Sequence, residues 1–185
     1  MKILAVLGSA RRNGNTEMLI KEALRGMGEG HDVTLRVLSE MNIFGCQGCR
    51  GCRLKDAEGC IFQDEMQTLY TDMKAADAIV LGSPIFYGEV TGQMKSFMDR
   101  WYALRDHDKK LRLSPGKRAL FIVVQGADDP HRYGRTVERL EKVLKSYEMV
   151  PRILVAAGLE KKNEAAGNPA IMENAFKAGT ELISP

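Results

Sequence analysis

Apolar and polar positions along this chain follow two alternating rhythms. Lys2 to Leu7 is a continuous apolar run ending at Gly8, the form of a strand buried on both faces. After a polar loop over 8–16, Ile20, Ala23, Leu24 and Met27 recur at i, i+3, i+4 and i+7. That spacing predicts an amphipathic helix over 16–28, stopped by Gly28 and Gly30. Residues 32–38 alternate, with Val33, Leu35 and Val37 opposite Thr34 and Arg36, as in a strand covered on one face only. Asp64 and Gln67 have the spacing of an N-cap and its capping-box partner, ahead of Met66, Leu69, Tyr70 and Met73 at helical intervals. Ala78 to Leu81 reads as a buried strand, followed by a polar and aromatic loop. From Thr91 to about Leu104, Met94, Phe97, Met98 and Trp101 mark one face of a third helix. Ala119 to Val124 is the most apolar run and predicts a central strand. Val137, Leu140, Leu144 and Tyr147 mark a fourth helix. Val150 to Ala156 is the last strand, and Pro151 near its start suits an edge, where a missing N–H is tolerated. Asn168-Pro169 is an N-cap and first-turn proline, opening a final helix that carries Ile171, Ala175, Phe176, Gly179 and Leu182.

Five strands alternating with five helices predict an α/β fold, a three-layer sandwich around a five-stranded parallel sheet. Strands one, three and four read as central and strands two and five as edges. The order is then 2-1-3-4-5, that of the flavodoxin-like fold. At 185 residues the chain is expected to form a single domain over 1–185, with a cysteine-rich loop at 45–63. Composition adds little: 44% hydrophobic and 28% charged residues are ordinary for a globular protein. A net charge of +3, from 27 basic and 24 acidic residues, with no long basic run, excludes nucleic acid as a partner. The apolar N-terminal run is too short for a leader peptide and is followed by Arg11-Arg12, so it is read as the first strand. No stretch is long enough for a transmembrane helix, so no membrane partner is expected. A cytoplasmic location is expected, where thiols stay reduced.

Every cysteine lies in one stretch, Cys46, Cys49, Cys52 and Cys60, at spacing C-x2-C-x2-C-x7-C, and each follows a glycine. Two consecutive C-x2-C steps let three thiolates converge on one point from a single loop, and the fourth can close the far corner of a cubane. The pattern fits a bound [4Fe–4S] cluster. Two other readings stay open: structural zinc, which usually takes two separated C-x2-C pairs, and free or redox-active thiols that bind nothing. The proline that follows the last cysteine of a ferredoxin module is absent, since Ile61 follows Cys60.

In such a sheet ligands bind at the carboxyl ends of the strands, around the switch point between strands one and three. The loop after strand one, GSARRNGNT over 8–16, offers the Ser9 and Thr16 hydroxyls, the Asn13 and Asn15 amides and a helix N-terminus to a phosphate, with Arg11 or Arg12 as a charged clamp. Neither a Walker loop nor a G-x-G-x-x-G fingerprint is present, which leaves a mononucleotide phosphate as the simplest occupant; a polar loop without a ligand is the alternative. The loop after strand three, from Gly82 to Gly92, holds Pro84, Phe86, Tyr87 and Gly88 and would suit a planar heterocycle. The loop after strand four, from Gln125 to Pro130, is a weaker candidate, and His131 and Tyr133 beyond it read as surface or helix-start residues.

Through GSARRNGNT and SPIFYGEVTGQMKSFMDR the chain resembles the NADPH-dependent FMN reductase superfamily. Through its compact cysteine motif it looks like the iron–sulfur flavoproteins within that superfamily. The resemblance implies that Ser9, Arg11, Asn13, Asn15 and Thr16 hold the phosphate of FMN. It implies that Pro84, Ile85, Phe86, Tyr87 and Gly88 line the isoalloxazine, with Gln125 and Gly126 closing the other edge. Cys46, Cys49, Cys52 and Cys60 would be the cluster ligands. It also implies a homodimer or homotetramer, with the Trp101-Tyr102 region at the interface. The expected function is an FMN-dependent oxidoreductase passing electrons between flavin and a [4Fe–4S] cluster, with a small-molecule or protein electron donor and acceptor. The alternatives are a metal-free FMN or quinone reductase using NAD(P)H as substrate, a flavodoxin-like electron carrier, whose usual acidity this chain lacks, and a zinc-stabilised binding module. The cofactor carries the chemistry, so no catalytic acid or base is assigned.

Overall fold

A computed structural model of the chain describes residues 1–184. Six strands, β1 (Lys2–Leu7), β2 (Asp32–Val37), β3 (Ala78–Phe86), β4 (Glu89–Val90), β5 (Arg118–Val124) and β6 (Val150–Ala156), alternate with five helices. The helices are α1 (Asn15–Gly26), α2 (Met66–Ala75), α3 (Gly92–Asp99), α4 (Gly134–Ser146) and α5 (Pro169–Ile183). The order β2-β1-β3-β5-β6, parallel throughout, is the predicted flavodoxin-like one, with the two-residue β4 pairing antiparallel to the end of β3.

The continuous apolar runs are strands covered on both sides, and successive residues enter opposite cores. Leu4, Val6, Ile79, Leu81, Phe121 and Val123 point to the core built with α2, α3 and α4. Ile3, Ala5, Leu7, Val80, Leu120 and Ile122 point to the one built with α1 and α5. The half-covered β2 is an edge, as its alternation predicted. Among the described residues no helix is long and apolar enough to cross a membrane.

Three local expectations are corrected. Strand β3 runs five residues past Leu81, because Ser83 and Pro84 continue the register with Val123 and Val124 while Ile85 and Phe86 turn back onto β4. The predicted third helix ends at Asp99 and tightens into a 3₁₀ turn over Arg100–Leu104. The capping box at Asp64 and Gln67 does not form: α2 begins at Met66, Asp64 pairs with Arg100, and the Gln67 amide donates to the carbonyls of Cys60 and Phe62.

Candidate functional site

Three close glycine contacts shape the floor of the site: Gly82 lets α1 down onto the sheet, Gly8 admits α3, and Gly14 closes the turn into α1. A β-carbon on Gly82 would stand 2.7 Å from Ile20 Cδ1, one on Gly8 2.9 Å from Met94 Cβ, and one on Gly14 2.9 Å from the Arg11 carbonyl oxygen. Only hydrogen fits at each. The end of β1 is further tied by Gly8 N donating to Gly82 O at 2.8 Å and by the Thr91 hydroxyl donating to Gly8 O at 2.6 Å.

The cavity formed there, at the carboxyl ends of β1, β3, β5 and β6, is bordered by Ser9, Arg11, Gly14, Asn15 and Thr16 from the first loop. Pro84 and Phe86 border it from the end of β3, Val124 from β5, and Leu159, Glu160 and Lys162 from the segment after β6. Helix α1 starts after Gly14 with no side-chain cap, so its first-turn N–H groups keep their donor capacity at the positive end of the helix dipole. Ser9 Oγ accepts from Arg11 N at 3.2 Å and keeps its own hydrogen to donate.

The two arginines divide their work. Arg12 binds Glu17 and, at 2.6 Å, Glu40, whereas Arg11 has no carboxylate partner among the described residues and borders the cavity. Glu17 is buried. Burial alone would raise its carboxyl, but Lys21, the Asn13 N–H at 2.7 Å and Arg12 together hold it down at about 2.

Of the residues singled out from sequence, Ser9, Arg11, Asn15, Thr16, Pro84 and Phe86 meet in this cavity. Asn15 is already engaged: its Nδ2 donates to Lys161 O at 2.8 Å and its Oδ1 accepts from Ala165 N at 3.1 Å. It fastens the segment after β6 to the first loop and leaves its side chain little to offer a ligand.

Asn13, Ile85, Tyr87, Gly88, Gln125 and Gly126 do not border the cavity. Asn13 makes the positive-φ turn into α1, Ile85 pairs with Val90, and Tyr87 is fully exposed at a positive φ. Gly88 gives its carbonyl to the Thr136 hydroxyl. Gln125 is buried with its amide donating to Ala127 O and Asp129 O, and Gly126 lies behind Glu160. Trp101, expected near an interface, is fully buried against Phe97 and Tyr147, and only Tyr102 beside it is exposed. The wall of Leu159, Glu160 and Lys162 was missed. Its one sequence signal was its place directly after the last strand, where an α/β sheet gathers its ligand loops.

The four cysteines border a second cavity, together with Arg50, Phe62, Arg100, Tyr102 and Ala103. Positive-φ residues Gly48 and Arg50 curl the chain between Cys46 and Cys52. Gly51 packs so tightly on Ile61, where a β-carbon would stand 2.7 Å from Ile61 Cδ1, that the arms holding Cys52 and Cys60 lie side by side. Cys52 is buried, Cys60 half-buried, and Cys46 and Cys49 exposed. Burial raises the Cys52 thiol, opposed by the charge of Arg53.

Arg112 clamps the loop from behind, donating to Cys52 O at 3.4 Å and Ala57 O at 2.5 Å as well as to Ala103 O and Arg105 O. The expected convergence of three thiolates on one point is absent: among the described residues no three Cys, His, Asp or Glu side chains close on a single metal ion. The sulfurs are instead spread around a shared cavity. A cubane takes one thiolate on each of four irons, so it needs ligands around it rather than at one point. The donor set is suitable, and the buried Nε of Arg100, which has no acceptor among the described residues, adds a hydrogen-bond donor beside the cavity.

A sequence profile of the NADPH-dependent FMN reductase family matches residues 1–159. An iron–sulfur flavoprotein of Methanocaldococcus jannaschii is 38% identical over 106 residues, covering 57% of this chain and 54% of that protein. One from Archaeoglobus fulgidus is 33% identical over 159 residues, covering 84% of this chain and 76% of that protein. The chain thus spans little more than half the length of the first relative. In three dimensions an NAD(P)H:quinone oxidoreductase from Methanothermobacter marburgensis superposes with a TM-score of 0.78 over 100% of this chain and 98% of that one, at 14% identity.

Proposed function

Because the chain belongs to the NADPH-dependent FMN reductase family, on its iron–sulfur flavoprotein branch, we propose that it is an FMN-dependent oxidoreductase whose cysteine loop carries a [4Fe–4S] cluster. The observation that carries the flavin assignment is the uncapped start of α1 opening, with Ser9, Thr16 and Arg11, which has no carboxylate partner among the described residues, into the cavity that Pro84 and Phe86 flank. Bound FMN would supply hydride acceptance from NAD(P)H and one-electron exchange; the cluster would relay single electrons.

The chain's own residues do the holding. The Ser9 and Thr16 hydroxyls and the first-turn N–H groups donate to the phosphate, and Arg11 neutralises it. Asn15 keeps the wall of Leu159, Glu160 and Lys162 closed against that loop. Pro84 and Phe86 present an apolar surface to the ring, with Ile85, Tyr87, Gly88, Gln125 and Gly126 supporting the same edge from outside the cavity. Cys46, Cys49, Cys52 and Cys60 would ligate the irons.

The chain is proposed to act as one domain, with a small-molecule or protein electron donor and acceptor. We place it in the cytoplasm, where its four free thiols would stay reduced. Half-exposed Phe86 and Tyr102 and fully exposed Tyr87 suit a homodimer or homotetramer interface. The second reading, a metal-free NAD(P)H-dependent FMN or quinone reductase, is favoured by the exposure of Cys46 and Cys49, which leaves two of the four thiols open to solvent.

The deciding measurement is the absorption spectrum of protein purified without oxygen, with flavin, iron and sulfide assayed on one sample. Flavin bands over a broad absorbance that bleaches with dithionite, with about four irons and four sulfides per chain, are expected for the cluster-bearing flavoprotein. A flavin spectrum without iron after anaerobic reconstitution makes the metal-free reductase the correct account, and protein that takes up no FMN ends both.

A further inference from the structure

We propose that Arg100 is a positioning residue for the cysteine loop: it holds the Cys60 sulfur toward the cluster and raises the cluster's reduction potential through its hydrogen bond to that sulfur. This rests on the cluster reading above. Arg100 stands where α3 tightens into its 3₁₀ turn, and it is 2% exposed. Its guanidinium donates to four acceptor atoms on three residues. Nη1 donates to Phe44 O at 2.8 Å and to Asp64 Oδ2 at 2.7 Å, and Nη2 donates to Asp64 Oδ1 at 3.0 Å and to Cys60 Sγ at 3.3 Å. Phe44 lies two residues before the first cysteine and Asp64 four after the last. One planar group therefore grips both ends of the loop and a sulfur within it.

The arrangement exceeds what a structural ion pair requires. Asp64 neutralises the guanidinium, and Phe44 and Asp64 alone would fix the loop ends. The contact to Cys60 adds a charge-assisted donor to a group that is an anionic thiolate whenever it ligates iron. The fifth N–H, at Nε, is buried without an acceptor among the described residues, while the side chain borders the cysteine cavity. A donor left over beside a cavity of four thiols is one that a sulfide-rich anion can satisfy. Hydrogen bonds and positive charge near cluster sulfurs stabilise the more negative, reduced state and so raise the potential. A lysine at this position keeps the charge but cannot reach three partners in one plane.

The test compares wild type with Asp64→Asn/Arg100→Gln, which removes both charges together and leaves none buried alone, and with Arg100→Lys. Each is purified and reconstituted anaerobically, checked for folding by circular dichroism, assayed for iron and sulfide, and titrated for the cluster midpoint potential. The double variant is expected to fold and to show either a loss of iron or at least a tenfold shift of the reduction equilibrium toward the oxidised cluster, about 59 mV more negative for a one-electron couple. Arg100→Lys is expected to move in the same direction by less, and it decides the matter if the double variant does not fold. Full iron with an unshifted potential in the folded variants overturns the proposal while the cluster reading stands. Wild type that takes up no iron overturns both.

Discussion

Gly179 of α5 and Ala23 of α1 meet backbone to backbone: a β-carbon built on Gly179 would overlap the Ala23 carbonyl oxygen. Gly26 meets the Phe176 carbonyl in the same way one turn along, and the Thr180 hydroxyl donates to Gly26 O at 2.8 Å. The two helices can therefore pack only while both positions lack a side chain. Gly179→Ala forces them apart at a cost of about 1–3 kcal/mol, the usual range for overpacking. The expected outcome is a lower urea midpoint with an unchanged slope. Because α1 carries the phosphate loop, FMN should also dissociate more readily, which flavin fluorescence would report.

Asn15 joins residues 150 positions apart, with Lys161 O and Ala165 N as its partners. Asn15→Ala leaves a buried N–H without its acceptor and frees the wall after β6, for a stability loss of ~1–3 kcal/mol. Asn15→Asp keeps the acceptor and adds a negative charge beside the phosphate position. It also sets two acceptor oxygens against each other at Lys161 O, so it should lose at least as much stability as Asn15→Ala and bind FMN more weakly still, and calorimetry of both variants checks the order.

The separate engagements of Arg11 and Arg12 predict opposite effects. Arg11→Ala should weaken FMN binding roughly tenfold to a hundredfold, the scale of one charge-assisted contact, while leaving stability nearly unchanged. Riboflavin, which lacks the phosphate, should bind the variant as it binds wild type. Arg12→Ala should lower stability through Glu17 and change FMN affinity less. Equal losses of FMN affinity in the two variants would count against the phosphate assignment.

Glu17 predicts an acid limb in the stability curve. Its folded carboxyl sits at about 2, below the ordinary 4.5, so the unfolded chain binds its proton first as pH falls. The contribution is fully present above pH 4.5 and is lost as pH drops toward 2. Its full size is on the order of 3 kcal/mol. Glu17→Gln should flatten that limb, and urea midpoints measured between these pH values would show it.

Arg112 supports the cysteine loop through carbonyls alone, so its loss should loosen the loop without removing any thiol. In metal-free protein, Arg112→Ala should be cut by trypsin at Arg50, Arg53 or Lys55 several-fold faster than wild type, as expected when local opening becomes easier. Mass spectrometry of the first fragments identifies the sites, and cleavage starting elsewhere would contradict the clamp.

Much of the fold was legible because its signals are local. The apolar run of Lys2–Leu7 and the Asn168-Pro169 helix start stand where they were read, and Asn168 Oδ1 accepts from Ile171 N at 3.2 Å. The first loop was legible for the same reason, with hydroxyls, arginines and a glycine leading into a helix. What escaped depends on partners distant in sequence. Asp64 does accept from Met66 N at the start of α2, but a buried arginine 36 residues later also takes both its oxygens, and the Gln67 amide turns to Cys60 O and Phe62 O instead of back to Asp64. Asn15 does border the cavity, but its second role was hidden because the carbonyl and N–H that engage its amide come after the last strand. Glu160 and Lys162 drew no reading at all, since no periodicity marks a loop that closes a cavity from the side. The end of β3 was taken for a loop because glycine and proline weaken a strand signal, although the neighbouring β5 has residues to pair there.

The two cavities are founded on different cores. Val124 and Leu159 at the first belong to the layer of α1 and α5, whereas Cys52 belongs to the layer of α2, α3 and α4, with Cys60 packed against it. Neither pocket needs the other's contents to take shape. If the chain carries both groups as proposed above, maturation should proceed in either sequence, and a cell short of iron should accumulate yellow, flavin-loaded chains rather than unfolded ones.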